Sequence, residues 1–180
     1  MSGKRLFVAI ELPESVKASL VRLNPGIDGV RWLSAEQMHL TLSFLGLVDA
    51  SGEERFREKL SAIRWSAFFL PIAGLGTFPA KGRPNIIWIG VGTGHPHLFQ
   101  LHKRVQDAAL AAGLEPELRP WHPHISLARC REVSAESVRP FLKTHADFDA
   151  GMIHVESFCL NSSVLTPAGS VYTQELLVKA

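Results

Sequence analysis

One four-residue pattern occurs twice in this chain, as His39-Leu40-Thr41-Leu42 and as His124-Ile125-Ser126-Leu127. In each copy a histidine and a hydroxyl residue alternate with aliphatic residues. Successive side chains of a β-strand point to opposite faces, so the histidine and the hydroxyl share one face while the aliphatic residues enter the core. The repeat therefore predicts two strands that, placed side by side, bring two imidazoles and two hydroxyls into one cleft.

This set of side chains suits the chemistry of phosphate esters. The ordinary pKa of imidazole is about 6.5, so close to neutral pH one histidine can accept a proton while the other donates one. Hydroxyls can hold phosphate oxygens. A lone histidine on a strand is usually a structural residue, but two copies with a hydroxyl two residues later favour a functional site.

Composition limits the class of protein. With 180 residues, 46% hydrophobic and 20% charged, the chain is long and apolar enough to bury a core, and we expect residues 1–180 to form one two-lobed domain. The net charge of +2 permits binding of a short anionic ligand but not coating of a long duplex. No apolar run approaches the length of a membrane span, so we expect a cytoplasmic protein without a membrane partner, and a monomer.

Hydrophobic periodicity predicts strands and helices that alternate along the chain. Predicted strands cover residues 6–10, 38–45, 68–75, 86–91, the second motif, 152–160 and 171–178. Predicted helices cover residues 13–23, 51–63, 96–112 and 134–145. Gly46 is expected to end the first motif strand, and residues 76–85 are expected to form a long loop.

Five further residues are candidates to contact a substrate. Arg129 lies five residues past the second motif histidine, on the opposite face of an ideal strand unless a bulge redirects it. Phe7 and Trp121 could stack on a nucleobase, although aromatic residues in strands are more often part of the core. Lys81 and Arg83 could meet RNA phosphates from their loop, or could simply be solvated loop charges.

A zinc site is the main rival interpretation of the histidines. His122-Pro123-His124 forms an H-x-H pair, and with His39 it could supply three ligands. Proline fits poorly in a central strand, and the residues that follow the motif histidines are hydroxyls rather than carboxylates. We therefore expect no metal. The similar His95-Pro96-His97 precedes a predicted helix and is assigned no function.

The paired motifs resemble those of the 2H phosphoesterases. Their setting resembles the bacterial and archaeal RNA 2′,3′-cyclic phosphodiesterases, also called 2′–5′ RNA ligases, and the resemblance covers nearly the whole chain. The segments that carry it are residues 5–10 with 12–13, 31–32, 39–46, 76–79, 88–90, 123–129, 163–169 and Tyr172.

The resemblance implies an α+β, bilobal fold in which two antiparallel sheets line a central cleft and helices pack outside. It implies cofactor-free and metal-independent hydrolysis of a 2′,3′-cyclic phosphate to a 2′-phosphate, on RNA ends or small cyclic nucleotides. His39 and His124 match the catalytic histidines, Thr41 and Ser126 the phosphate-binding hydroxyls, and Arg129 an arginine associated with the site. Ser126 stands where threonine is commoner, which keeps the hydroxyl donor.

The mechanism that we expect uses His124 as base and His39 as acid, because in-line attack places the two groups on opposite sides of phosphorus. The residues alone do not distinguish this order from the reverse. Two alternatives stay open: 2′–5′ ligation of RNA ends by the same site, and a non-catalytic module that binds RNA ends.

Overall fold

Both motif segments lie in one eight-stranded antiparallel sheet of the computed structural model, which describes residues 3–92, 95–117 and 119–180. The strands are β1 (Lys4–Glu11), β2 (Val30–Trp32), β3 (His39–Val48), β4 (Phe68–Ala73), β5 (Leu75–Phe78), β6 (Ile86–Gly90), β7 (His124–Cys130), β8 (Asp149–Val155), β9 (Ser157–Thr166) and β10 (Gly169–Lys179). The helices are α1 (Glu14–Val21), α2 (Ala50–Ser61), α3 (Pro96–Ala111) and α4 (Ala135–Thr144), and a 3₁₀ turn at Ala35–Gln37 precedes β3.

The strand order in the large sheet is β10-β9-β1-β3-β7-β6-β5, and β2 also pairs with β7. Strands β4 and β8 form a separate two-stranded antiparallel sheet. The predicted α+β class with two antiparallel sheets is thereby confirmed. Both motif strands belong to the larger sheet, so the two halves of the chain are joined by direct pairing of β3 with β7.

A single cluster of buried aliphatic and aromatic side chains runs through both halves of the chain. All five residues from Leu6 to Ile10 in the central strand β1 are at most 3% exposed, because that strand is covered on both faces. The 95–97 segment begins α3, as predicted: the His95 ring accepts a hydrogen bond from the His97 backbone N–H at 3.3 Å. No helix in the described ranges is long and apolar enough to cross a membrane.

Each motif strand contains a bulge just past its hydroxyl residue. In β3 the register with β1 slips by one residue between Thr41 and Ser43, and in β7 the register with β6 slips between Ser126 and Ala128. A bulge inserts one extra residue, so beyond it the alternation of side chains between the two faces of the sheet is reversed. The two motifs therefore share both their residue pattern and the irregularity that follows it.

Four predicted segments are wrong in extent. Residues 68–75 divide at Gly74 into β4 and β5, which belong to different sheets, and β5 forms a hairpin with β6, so the predicted loop begins only after Phe78. Residues 152–160 divide in the same way at Glu156 into β8 and β9. Gly46, with φ of 68°, lies inside β3 rather than at its end. A continuous apolar run does not reveal where the chain passes between sheets, because both pieces bury apolar side chains.

The pairing of the two motif strands with each other is confined to one residue pair, Leu40 of β3 opposite Ile125 of β7. These are the second residues of the two motifs, and both are fully buried. The edge of β3 beyond this point has no paired strand residue on β7, so its carbonyl groups need other hydrogen-bond donors.

Trp121 and His102 supply those donors. The Trp121 indole N–H donates to the Thr41 carbonyl at 3.2 Å, and His102 Nδ1 lies 2.8 Å from the Leu42 carbonyl. The two rings stack at 4.0 Å with their planes 7° apart. Burial lowers the pKa of His102, so this ring is neutral near pH 7, with the Nδ1 proton directed at a carbonyl that can only accept. The stack therefore closes the gap beside the bulge of β3.

Replacing Trp121 with phenylalanine keeps an aromatic ring on His102 but leaves the Thr41 carbonyl without its donor. We expect the free energy of unfolding to fall by about 1 kcal/mol for this variant, and by about 3 kcal/mol for Trp121→Ala, which also opens a cavity. Urea denaturation of the purified variants measures both changes.

Trp65→Phe is the matched control. The Trp65 indole nitrogen is buried without a hydrogen-bond partner among the described residues, so its removal is expected to leave the free energy of unfolding unchanged or slightly higher. Equal losses of unfolding free energy for Trp65→Phe and Trp121→Phe would show that the indole N–H of Trp121 contributes nothing to stability.

Candidate active site

The four motif side chains line one open cavity of about 640 Å³. His39 and Thr41 reach it from β3, and His124 and Ser126 reach it from β7. The wall also includes Arg5, Gln37, Phe44, Arg129, Ser163 and Tyr172. The structure thus brings together the two predicted histidines and the two predicted hydroxyls.

The register between β3 and β7 arranges these four groups diagonally. In an antiparallel pair with Leu40 opposite Ile125, the neighbouring positions place His39 beside Ser126 and Thr41 beside His124. Each histidine therefore lies beside the hydroxyl of the other motif. A phosphate held between the strands would meet an imidazole and a hydroxyl from each side.

His39 is fixed by aromatic neighbours. Its ring stacks on Phe7 with 4.9 Å between centroids, and the ring of Tyr172 meets its edge at 5.1 Å. Burial, with a smaller contribution from the nearby positive charge of Lys17, lowers the pKa of His39 to about 4, and a hydrogen bond to the Gln37 backbone opposes the shift. The imidazole of His39 is therefore neutral at pH 7 and able to accept a proton.

His124 is anchored in the same manner. Its Nδ1 lies 2.7 Å from the carbonyl of His122, two residues earlier, just as His39 bonds to the backbone two residues before it. Because a carbonyl can only accept, Nδ1 carries the proton and Nε2 is left free for the cavity. Burial lowers the pKa of His124 as well, with the hydrogen bond to His122 opposing the shift. The ring of Phe78 packs against it edge-on at 4.8 Å.

Arg129 reaches the cavity because of the bulge in β7. Leu127 and Ala128 are both fully buried, which breaks the alternation along the strand and turns Arg129 to the side of His124. The bulge, whose presence the sequence alone did not decide, is thus present. Phe44 lies five residues after His39 and follows the equivalent bulge in β3, and its ring, 53% exposed, lines the same cavity.

Of the four other predicted contact residues, Phe7 alone lines the cavity. It is only 3% exposed, because its ring stacks on His39. Trp121 stacks on His102 and donates to the Thr41 carbonyl, and it lies outside the cavity wall. Lys81 and Arg83 are exposed on the β5–β6 connection, away from the cavity wall, and Lys81 borders a separate depression against α4.

Sequence reasoning missed several residues of the wall, of which Phe44, Gln37 and Tyr172 matter most. Phe44 has a signal in the sequence, because its offset from His39 equals the offset of Arg129 from His124. Gln37 and Tyr172 have none, since one lies in a short turn and the other reaches the cavity from β10, far along the chain.

The histidines do not form the alternative zinc site. His122 packs its ring against Trp88 at 4.8 Å and Phe78 at 5.3 Å, and its centroid is 6.2 Å from that of His124. Throughout residues 3–92, 95–117 and 119–180, no three histidine, cysteine or carboxylate side chains are arranged to hold a metal ion. The two motif strands instead contribute two imidazoles, two hydroxyls and the guanidinium of Arg129 to the cavity, which is also lined by Arg5, Glu115, Glu117 and Arg119.

Known proteins share this sequence and this fold. The curated RNA 2′,3′-cyclic phosphodiesterase of Aeropyrum pernix is 34% identical over 146 residues, which cover 81% of this chain and 83% of that protein. The corresponding protein of Archaeoglobus fulgidus is 29% identical over 171 residues, 93% of this chain and 96% of its own length. The crystal structure of Escherichia coli LigT with 3′-AMP has a TM-score of 0.81 and 27% identity, covering 99% of this chain and 98% of that one.

The sequence profile of the LigT-like phosphoesterases matches this chain twice, over residues 10–88 and over residues 89–172. The first match contains the motif of His39 and the second contains the motif of His124. The chain therefore contains two copies of one recognised unit, whose motif strands pair at Leu40 and Ile125. Because these matches span most of its length, the chain belongs to the LigT-like phosphoesterase family.

Proposed function

We propose that this chain hydrolyses the 2′,3′-cyclic phosphate at an RNA terminus to a 2′-phosphomonoester, with His39 and His124 as paired acid and base. The observation that carries the proposal is the pairing of Leu40 with Ile125, which sets each histidine beside the hydroxyl of the other motif. Relatives support it: the proteins from Aeropyrum pernix and Archaeoglobus fulgidus are named RNA 2′,3′-cyclic phosphodiesterases, and LigT of Escherichia coli was crystallised with 3′-AMP.

In this reaction a water oxygen bonds to phosphorus while the bond from phosphorus to the 3′ oxygen breaks. The base takes a proton from the water, the acid gives one to the 3′ oxygen, and the 2′ oxygen keeps the phosphate. The attacking and leaving oxygens lie in line, so base and acid must stand on opposite sides of phosphorus. Strands β3 and β7 provide one histidine from each side. Thr41 and Ser126 donate to the non-bridging oxygens, where negative charge grows in the transition state.

The pKa values favour one assignment of the acid. Both histidines are depressed below the ordinary pKa of about 6.5, with His39 at about 4. A single proton added to the free site therefore resides mainly on His124, and a bound phosphate anion stabilises it there. This favours His124 as acid and His39 as base, the reverse of the order expected from the sequence.

Replacing either His39 or His124 with alanine should lower kcat by about 10²- to 10⁴-fold, while the fold is retained. The assay uses a short RNA ending in a 2′,3′-cyclic phosphate, EDTA-treated protein and phosphorus NMR of the product. His97→Ala, which removes an exposed histidine at the start of α3, is the control and should keep full activity.

Other results of this assay would point elsewhere. An active His39→Ala variant would contradict the two-histidine scheme. Tight binding of the cyclic-phosphate RNA without turnover by the wild type would support the non-catalytic binding module. A 2′–5′ linkage formed in the presence of a 5′-hydroxyl RNA would support ligation.

A sulfur atom in place of the 3′ bridging oxygen separates acid from base, because a thiolate leaves without protonation. We expect this substrate to restore turnover to His124→Ala and not to His39→Ala. Rescue of His39→Ala alone would establish the opposite order, with His124 as base.

The pH dependence of kcat/KM should be bell-shaped with its maximum on the acid side of neutrality. This parameter reports the free protein, in which one histidine must be charged and the other neutral. Protonation of His39 removes activity as pH falls through about 4, and loss of the proton from His124 removes it as pH rises through a pKa below the ordinary value. Initial rates on a 2′,3′-cyclic mononucleotide measure the curve, and a maximum above pH 7.5 would contradict the lowered pKa values.

Phe44 is more exposed than the other two aromatic rings of the wall, Phe7 and Tyr172, and we assign the terminal base to it. Stacking on an aromatic side chain contributes about 1–3 kcal/mol per base, so Phe44→Ala should raise KM for a cyclic mononucleotide by about 5- to 100-fold with kcat nearly unchanged. The matched control is Phe69→Ala, because Phe69 is similarly exposed at 58% but lies on the two-stranded sheet. An unchanged KM for Phe44→Ala would contradict the assignment.

A further inference from the structure

Two arginines face each other across the strand pair that borders the cleft. Arg31 of β2 lies directly opposite Arg129 of β7 in antiparallel register. Opposed residues share a face of the sheet, and like charges in this position destabilise it. Neither guanidinium forms an ion pair with a carboxylate in the part of the chain that the structure describes. This is an arrangement that an anion would stabilise.

Arg31 lines a groove that adjoins the catalytic cavity. This groove, of about 530 Å³, runs between β2, the 3₁₀ turn and the turn that joins β9 to β10. It shares Gln37, Ser170 and Tyr172 with the wall of the catalytic cavity, so the two spaces adjoin each other.

Local contacts fix the wall of this groove. The Gln37 side-chain amide donates to the Ser170 carbonyl at 3.3 Å, and Thr166 donates to the Gly169 carbonyl at 2.7 Å. Gly169 has a φ of 126°, which favours glycine, and a Cβ there would lie 2.6 Å from Gln37 Nε2 and displace that amide. The groove is a feature of ordered elements and not of a loose surface.

We propose that Arg31, together with Arg129, binds the phosphodiester on the 5′ side of the terminal nucleoside, which makes this groove a subsite for the RNA strand. The inference rests on the proposed function. Glu36 also lines the groove, so the phosphodiester is placed at the end nearest the cleft, beside the strand positions where Arg31 and Arg129 are paired. Arginine binds phosphate oxygens through two parallel N–H donors.

A second cavity near the cleft fits a charged strand less well. It measures about 470 Å³ and is lined by aromatic residues, among them Trp88, Phe99 and Trp121. It has no lysine or arginine in its wall and shares no wall residue with the catalytic cavity. The wall residues shared with the catalytic cavity and the positive charge of Arg31 both favour the groove of Arg31.

The test compares two substrates, adenosine 2′,3′-cyclic phosphate and the dinucleotide ApA ending in a 2′,3′-cyclic phosphate. The wild type should have the higher kcat/KM on the dinucleotide. Arg31→Gln should lose about 10-fold in kcat/KM on the dinucleotide, because a charged hydrogen bond is lost, and should be unchanged on the mononucleotide. Arg22→Gln, which removes the same charge from the exposed end of α1, should change neither.

Two further readouts distinguish phosphate binding from a structural role. The slope of log kcat/KM against log salt on the dinucleotide should become shallower by roughly 0.7 in Arg31→Gln, as for one lost phosphate contact on a single strand. The melting temperature of Arg31→Gln should equal or exceed that of the wild type, because a like-charge pair is relieved.

Equal losses on both substrates, or no loss on either, would overturn the subsite. Loss of dinucleotide activity on mutating the wall of the aromatic cavity, with Arg31→Gln unaffected, would place the strand there instead. If the wild type hydrolyses neither substrate, the proposed function fails, and the subsite is tested separately by binding. Fluorescence titration with a labelled ApA 2′-phosphate should then show about 10-fold weaker binding to Arg31→Gln than to wild type, and equal affinities would overturn it.

Discussion

One backbone pairing, Leu40 with Ile125, determines the geometry of the candidate site. A shift of one residue in strand register would turn every side chain of that strand to the other face. The register is held by burial, because Leu40 and Ile125 are both fully buried and a shift would expose them while burying two imidazoles. The hydrophobic core thus sets the positions of the polar groups on the opposite face of the two motif strands.

The sequence predicts this centre well because its information is local. Alternation within each motif establishes which side chains face the core, and Leu42 and Leu127 are fully buried as that alternation requires. Side chains two positions apart on a strand share a face whatever the strand pairs with. The α+β class and the extent of the four helices follow from similarly local patterns.

The residues whose positions sequence reasoning misplaced or left open depend on partners distant in the chain. The face occupied by Arg129 depends on a bulge, and a bulge is a mismatch between two strands rather than a property of one. Trp121 is of a residue type that stacks on nucleobases, but the carbonyl of Thr41 and the ring of His102 determine its position. Phe7 likewise supports His39 from below because β1 pairs with β3 on one side and β9 on the other.

The bulges also leave the site with a handedness. A near-twofold exchange of β3 with β7 interchanges the two histidines and roughly interchanges the two hydroxyls, so the positions of these four groups do not by themselves distinguish the two ester oxygens of a cyclic phosphate. The same exchange would place Phe44 where Arg129 lies, an apolar ring in the position of a cation. This pair of side chains, together with the different surroundings of the two histidines, distinguishes one direction along the cleft from the other. Regiochemistry, the choice between cutting at the 2′ and at the 3′ oxygen, therefore depends in part on side chains that take no part in moving a proton.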